Sequence, residues 1–412
     1  MKILKLMIYL SVVALFSTAC NKDEITTSSK AEESAALANP IEQNYLSLLH
    51  QLEQEDVTSK ASNPLESRSS YSAGSTVYIM SNEINENQVI AFSRGSDGKL
   101  NELARYATGG TGNGAGLGSQ GAVAIDDWGR ILLTVNPGSN DISAFFVRND
   151  GSLRYVDRIA SGGTTPISIS SSRGRVFVVN AGGTGNIAGF TFNGTGHLSP
   201  LPNSIKSLST DASGPAQISF SPNGTVLVIT EKATNSISSF SVDNHGNTGN
   251  IHTIPSAGAT PFGFYFTSPK TFLVSEAAGG AAGASTISSY RINPIGTVTL
   301  IEGPFATHGS AACWVVADNN GKTVYATNTG SNDITSLSVS GYGHLSLANG
   351  GASTPTNAGP IDAAMDKNSR NLYVLARGNS AIISYSVKSN GRLTQIDEDG
   401  GLPARASGLV VR

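Results

Sequence analysis

Seven polar residues recur at one place in a repeating strand pattern of this 412-residue chain. Each closes the second strand of a unit: Glu83, Asn136, Asn180, Glu231, Glu276, Asn328 and Arg377. The pattern predicts that they ring one opening of the fold. A second set leads into the first strands: Ser168, Gln217, Gly263, Cys313 and Asp362, with Arg405 close by. Carboxylates near a guanidinium hold polar ligands or move protons. Among six histidines, only His308, just before Gly309 and Ser310, is expected to approach that opening. His197, His245 and His344 neighbour turn glycines, His252 falls in an outer strand, and His50 sits near the N-terminus. No histidines have ligand spacing on a helix, and Cys-x-x-Cys and Asp-x-Asp-x-Asp patterns are absent. Neither a metal nor a cofactor is expected. The glycine-rich run 109–116 lacks the Lys and following helix of a phosphate loop. It reads as a crossover long enough to fold over the opening.

The elements that must position these residues come from a repeat. Residues 214–250 hold three short apolar runs, separated by Pro222-Asn223-Gly224 and by a polar loop, and closed by Asn244-His245-Gly246. Alternation bounded by such turns marks antiparallel strands. A hydrophobic residue and a turn glycine recur six apart as Phe92/Gly98, Phe145/Gly151, Phe190/Gly196, Phe240/Gly246, Tyr290/Gly296, Leu337/Gly343 and Tyr385/Gly391. Three residues before each stands a β-branched one, from Val89 to Ile382. Successive units are 45 to 53 residues apart. That period, with several strands per unit, predicts an all-β, seven-bladed β-propeller with four-stranded antiparallel blades over residues 76–412. The first unit starts at Thr76 without an inner strand, and the chain ends on a lone one, Leu409-Val410-Val411. The C-terminal strand should therefore join the first blade and close the ring.

Charged residues make up 14%, the net charge is −3, and no basic stripe is visible, so nucleic acid is not an expected partner. Lys2 and Lys5 precede an apolar run over 6–16, then Ser17-Thr18-Ala19-Cys20. The run is too short to span a membrane and reads as a signal peptide over 1–20. Cysteine after a small residue resembles a bacterial lipoprotein cleavage site, although Ser17 stands where an aliphatic residue is usual. Cys20 is then the lipid attachment residue, since the only other cysteine is Cys313. Asn21-Lys22-Asp23-Glu24 resembles a tract that routes some lipoproteins outward across the outer membrane. Residues 21–75 read as a flexible tether carrying one short helix near 40–55. Asn39 is its N-cap and Pro40 opens its first turn. Ile41, Tyr45, Leu48, Leu49 and Leu52 share a face, predicting packing against the side or bottom of the propeller.

Gly214-Pro215, Ser221-Pro222-Asn223-Gly224, Ile229-Thr230-Glu231, Asp318-Asn319-Asn320-Gly321 and Val324-Tyr325-Ala326-Thr327-Asn328 together resemble the seven-bladed lactonase propeller family. That family includes 6-phosphogluconolactonase and a fungal carboxymuconate-lactonizing enzyme, and the resemblance covers residues 76–412. Its enzymes usually carry Pro-Arg-His where this chain reads Pro215-Ala216-Gln217, with Glu231 retained opposite. A usual Pro-x-His is Pro166-Ile167-Ser168, and a usual Ser-Asn-Arg is Thr327-Asn328-Thr329. Lactone chemistry needs an acid or base and a cation. By the resemblance Glu231 is the remaining candidate base, with Lys232 or Arg377 as cation, while Gln217 and Ser168 cannot titrate.

The expectation is a cell-envelope lipoprotein whose propeller is a binding or scaffold module. Its ligand, a small molecule, glycan or protein, would meet Glu83, Gln217, Lys232, Glu276, His308, Asp362 and Arg377. The alternative is a lactonase with a rearranged site around Glu231, which requires a cation within hydrogen-bond reach of that carboxylate.

Overall fold

The seven glycines that follow the aromatic positions share one conformation. Their φ values lie between 80° and 90°, from Gly391 to Gly296 and Gly343, a left-handed region open to glycine and strained for other residues. Each donates its N–H to the carbonyl three residues earlier, as Gly98 does to Gly95 and Gly391 to Lys388. One tight turn is thus used seven times, and it fixes the register of the third and outer strands. The residue six positions earlier is at most 2% exposed in every blade, and the β-branched residue before it is 0% exposed.

The computed structural model describes residues 39–61, 76–193, 196–356 and 358–412. Seven antiparallel sheets follow, five of four strands and two with an added short strand. The inner strands are Ser407–Val411 in blade one, then Val123–Ile125, Pro166–Ser172, Pro215–Phe220, Pro261–Ser268, Ala312–Ala317 and Pro360–Met365 in blades two to seven. Each touches the next, and Ser407–Val411 touches both Pro360–Met365 and Val123–Ile125, so the ring is complete. Closure is the pairing of Val77 with Val411 and of Ile79 with Leu409. The C-terminal strand therefore completes the blade that starts at Thr76, and no inner strand is left without a sheet.

A single helix, Pro40–Ala61, precedes the propeller in the described residues. Asn39 Oδ1 accepts the N–H groups of Ile41 (3.0 Å) and Glu42 (3.1 Å), which caps it. Tyr45, Leu48, Leu49 and Leu52 are buried within a core cluster shared by blades one to three. Tyr45 lies 5.3 Å from the Trp128 ring and 5.6 Å from Phe192. Burial of side chains this size stabilises by about 1.5–3 kcal/mol each, so packing dominates the docking. Three ion pairs flank the apolar stripe: Glu53–Arg130 (2.7 Å), Glu55–Arg154 (2.9 Å) and Asp56–Arg148 (2.6 Å). The helix is longer than the sequence pattern suggested and lies against the propeller, as the apolar stripe predicts. The expected signal peptide and Cys20, with residues 21–38 and 62–75, lie outside the described residues.

Candidate functional site

The polar residues that close the second strands do not line the opening. Asn136, Asn180, Glu231, Glu276 and Asn328 are all 0% exposed. Each turns into its own sheet. Asn136, Asn180, Glu276 and Asn328 latch the third strand to the crossover that enters the blade, whereas Glu231 binds that crossover and the loop before the third strand. Asn136 Nδ2 donates to Asp141 Oδ1 (2.6 Å) and Ser143 Oγ (2.8 Å), while Thr108 Oγ1 donates to Asn136 Oδ1 (2.7 Å). Asn328 repeats this with Asp333, Thr335 and Thr307. Glu276 accepts from Gly258 N (2.8 Å), Ser256 Oγ (3.1 Å) and Ser288 Oγ (2.9 Å), and Thr286 also donates to it. Glu231 accepts from the Ser209 hydroxyl and, at 3.4 Å, from Thr234 Oγ1. Among the described residues no cation pairs with the Glu231 carboxylate. The expected placement of Glu231 and Glu276 on the rim is thus corrected, because buried acceptors at these strand ends satisfy the crossover's donors.

Backbone pairing also corrects the alignment of blades one and seven. Glu231 stands opposite Pro215 and Ser236, and its counterpart opposite Pro360 and Ala381 is Ala376. Arg377 is therefore one residue further on, in line with Lys232. The main-chain bonds agree: Lys232 N donates to Gly214 O, Arg377 N to Gly359 O, Thr329 N to Ala311 O and Ala277 N to Thr260 O. In blade one Ser81 holds the latch position, bonded to Gln88, and Glu83 lies two residues beyond on an exposed loop.

The residues one step past the latches form the mouth: Lys232, Ala277, Thr329 and Arg377, with exposed Arg405 from the closing crossover. Lys232 Nζ bonds the Gly118 carbonyl and sits 4.8 Å from the Phe262 ring centroid, a cation–π contact. Phe262 in turn lies 5.1 Å from Trp314. Burial lowers the Lys232 ammonium to about 8. Arg377 is half-buried, and burial and then the Arg405 charge disfavour its own charge. Its Nε is buried without a partner. Cys313 feels both Lys232 and Arg377, yet burial prevails and pushes its thiol up to about 11. Three cations thus converge with no carboxylate paired to any of them among the described residues. Arg405 shares a rim cleft of about 420 Å³ with Glu83 and Glu86, without an ion pair.

The glycine-rich crossover between blades one and two lies across this mouth. Asn82 clamps it, donating to Asn113 Oδ1 (3.1 Å) and to Ala115 O (2.7 Å). A Cβ on Gly116 would come within 3.1 Å of both terminal nitrogens of Arg377, so glycine is what lets the backbone pass the guanidinium.

The second predicted set has a different duty. Inner strands have no neighbour on their axial side, and side chains bridge the gap. Ser168 Oγ accepts from Ile218 N (3.1 Å) and Gln217 Oε1 from Phe264 N (2.6 Å), each reaching the next blade. Asp362 accepts from Ala363 N (2.8 Å), and burial holds its carboxyl well above the usual carboxylate range. Gln217 and Asp362 therefore face the axis, inward of the mouth. His308 is exposed, has a left-handed φ of 63°, and makes no side-chain bond among the described residues.

Sequence reading missed Gln120, Phe262 and Trp314. Their signal was obscured because they sit beside motif positions rather than on them.

The model of the family described as lactonase, seven-bladed β-propeller, matches residues 69–209 and 203–294. A candidate 6-phosphogluconolactonase from Bacteroides fragilis is 17% identical, covering 84% of this chain and 100% of its own, with a TM-score of 0.66. A second from Bacteroides uniformis is 16% identical, covering 81% and 98%, also at 0.66. A periplasmic gluconolactonase from Pseudomonas aeruginosa is 14% identical, covering 82% and 99%, at 0.63. At these identities the likeness establishes the fold. No curated protein sequence matches the chain.

Proposed function

Given that this chain belongs to the seven-bladed β-propeller lactonase family, we propose that it is a binding member whose mouth holds a small anionic ligand. The observation that carries this is Arg377. Its charge is half-buried beside Arg405 and near Lys232, its Nε is unpartnered, and no carboxylate balances it among the described residues. Unbalanced guanidinium groups suit a carboxylate or phosphate, which they grip through paired charge-assisted hydrogen bonds. Phe262 and Trp314 supply an apolar floor beside Lys232. Catalysis is the weaker reading, because Glu231 is engaged by Ser209 and lacks a cation partner. One feature favours it as a second reading: an amine at about 8 is the kind that serves as base or nucleophile near neutral pH.

Calorimetric titration with gluconate and with 6-phosphogluconate tests the proposal. Saturable binding, weakened at least tenfold by Arg377→Met and declining as pH rises past 8, is expected. Anion affinity untouched by Arg377→Met refutes it. Hydrolysis of the corresponding lactones by the purified protein, abolished by Lys232→Met, establishes the second reading instead.

The proposal extends to location: an exported lipoprotein acylated on Cys20 and held at the outer membrane of the cell envelope. Labelled palmitate should enter the wild-type protein and not Cys20→Ser. An unlabelled wild type rules the anchor out.

A further inference from the structure

A second space lies on the propeller axis, separated from the mouth. All seven inner strands contribute to a channel of about 410 Å³, which runs from Gln120 and Asp362 to Asp127, Ser221 and Pro222 in the turns of the opposite face. At the mouth end Gln120 closes it. Its side chain crosses from blade two to blade six, Nε2 donating to Val315 O (3.2 Å) and Oε1 accepting from Val315 N (3.4 Å). A Cβ at position 263 would meet Gln120 Oε1 at 2.2 Å, so Gly263 is what admits this bar. A solute must then come from the turn face.

The lining has no lysine or arginine, and its only acidic residues are Asp127 and Asp362. Blades three and four present hydroxyls, Ser170, Ser171 and Ser219, whereas Phe266, Met365 and Val410 offer apolar surface. Two groups are buried without a partner. Asp362 is 2% exposed, and its Oδ2 makes no well-formed hydrogen bond among the described residues, although the Leu409 N–H, like that of Ala363, lies close enough to oppose the effect of burial on the carboxyl. Ser171 Oγ is likewise unpartnered. Such orphaned polar atoms are costly unless a ligand or water meets them. Burial holds the Asp362 carboxyl well above the usual carboxylate range, which favours its neutral, hydrogen-bond-donating form.

We infer that this channel is a second binding site, for a neutral polyhydroxyl molecule of monosaccharide size. The volume falls at the lower end of small-molecule sites. The absence of cations disfavours anions, so the channel and the mouth select opposite chemistry. Hydroxyl groups of the ligand would meet Ser170, Ser171 and Asp362, and its C–H face would lie on Phe266 and Met365.

Saturation-transfer NMR and calorimetry with D-glucose, D-mannose and myo-inositol test this on the folded propeller. At least one should bind saturably in the millimolar range. Ala364→Phe, which fills the channel, should weaken it at least tenfold, and Asp362→Leu at least fivefold. Val410→Phe is the second blocking variant should Ala364→Phe not fold. Saturating 6-phosphogluconate should not displace the sugar, which separates this site from the mouth. The inference is overturned if none of the three compounds binds saturably, leaving a channel of water alone. It is equally overturned if binding survives a folded blocking variant, or if 6-phosphogluconate competes.

Discussion

Glu231 and Lys232 are consecutive in the chain, yet they belong to different regions with different physics. Glu231 ends a strand, points into its blade, and finds hydroxyl donors there. Lys232 has left the strand, points to the mouth, and finds a carbonyl and an aromatic face but no counter-charge. The contrast recurs in blade seven, where Ala376 occupies the latch position and Arg377 the mouth position. Polar groups at the latches are engaged within their blades, with Asn180 Oδ1 the exception, and hold them together. The charges at the mouth meet no counter-charge among the described residues, which is the mark of a surface built for an external partner.

The comparison is most exposed at Glu276. Glu276→Ala removes an acceptor used by Gly258, Ser256, Thr286 and Ser288. We expect about 3 kcal/mol of destabilisation, read as a fall in the denaturant midpoint. A loss below about 1 kcal/mol would mean the latches are dispensable.

Lys232 gives the opposite signature through pH. Its folded value of about 8 lies below the ordinary 10.5. Above pH 8 the unfolded chain therefore binds more protons than the folded one, and stability should rise with pH toward 9.5. The gain is roughly 1–2 kcal/mol at most over that window. Subtracting the profile of Lys232→Met, which lacks this slope, isolates it from the buried tyrosines that titrate higher. Equal slopes in the two proteins would show that the ammonium is not desolvated.

Smaller effects sharpen the contrast. Glu55→Gln breaks the exposed ion pair between the docked helix and Arg154, and we expect a loss under about 1 kcal/mol in thermal unfolding. Leu48→Ala in the same helix should cost several times more, because it opens a cavity in the shared core. Arg377→Met should change stability least, within about 0.5 kcal/mol, since no internal bond is lost. A large destabilisation there would move Arg377 from the mouth to the latches.

Much of the fold was legible beforehand because the seven turns between third and outer strands need a left-handed residue, and glycine reports that need by its identity alone. Helix capping by Asn39 and the stripe from Tyr45 to Leu52 were legible for the same reason, being local. The site was less so. An error of one residue in blade seven and two in blade one misassigned Arg377 and Glu83, since sequence alignment of loops cannot see which carbonyl a backbone N–H meets. Gln120 gave no signal, because its partner Val315 is 195 residues away.

The chain by itself decided the repeat, the number of blades and the closure by its last strand, because each depends on spacing and on turn stereochemistry within a few residues. Only the assembled ring decided which polar side chains are consumed and which remain unmatched. Whether a carboxylate meets a hydroxyl or a lysine stands without an anion depends on neighbours from other blades, and those are chosen by packing around the axis.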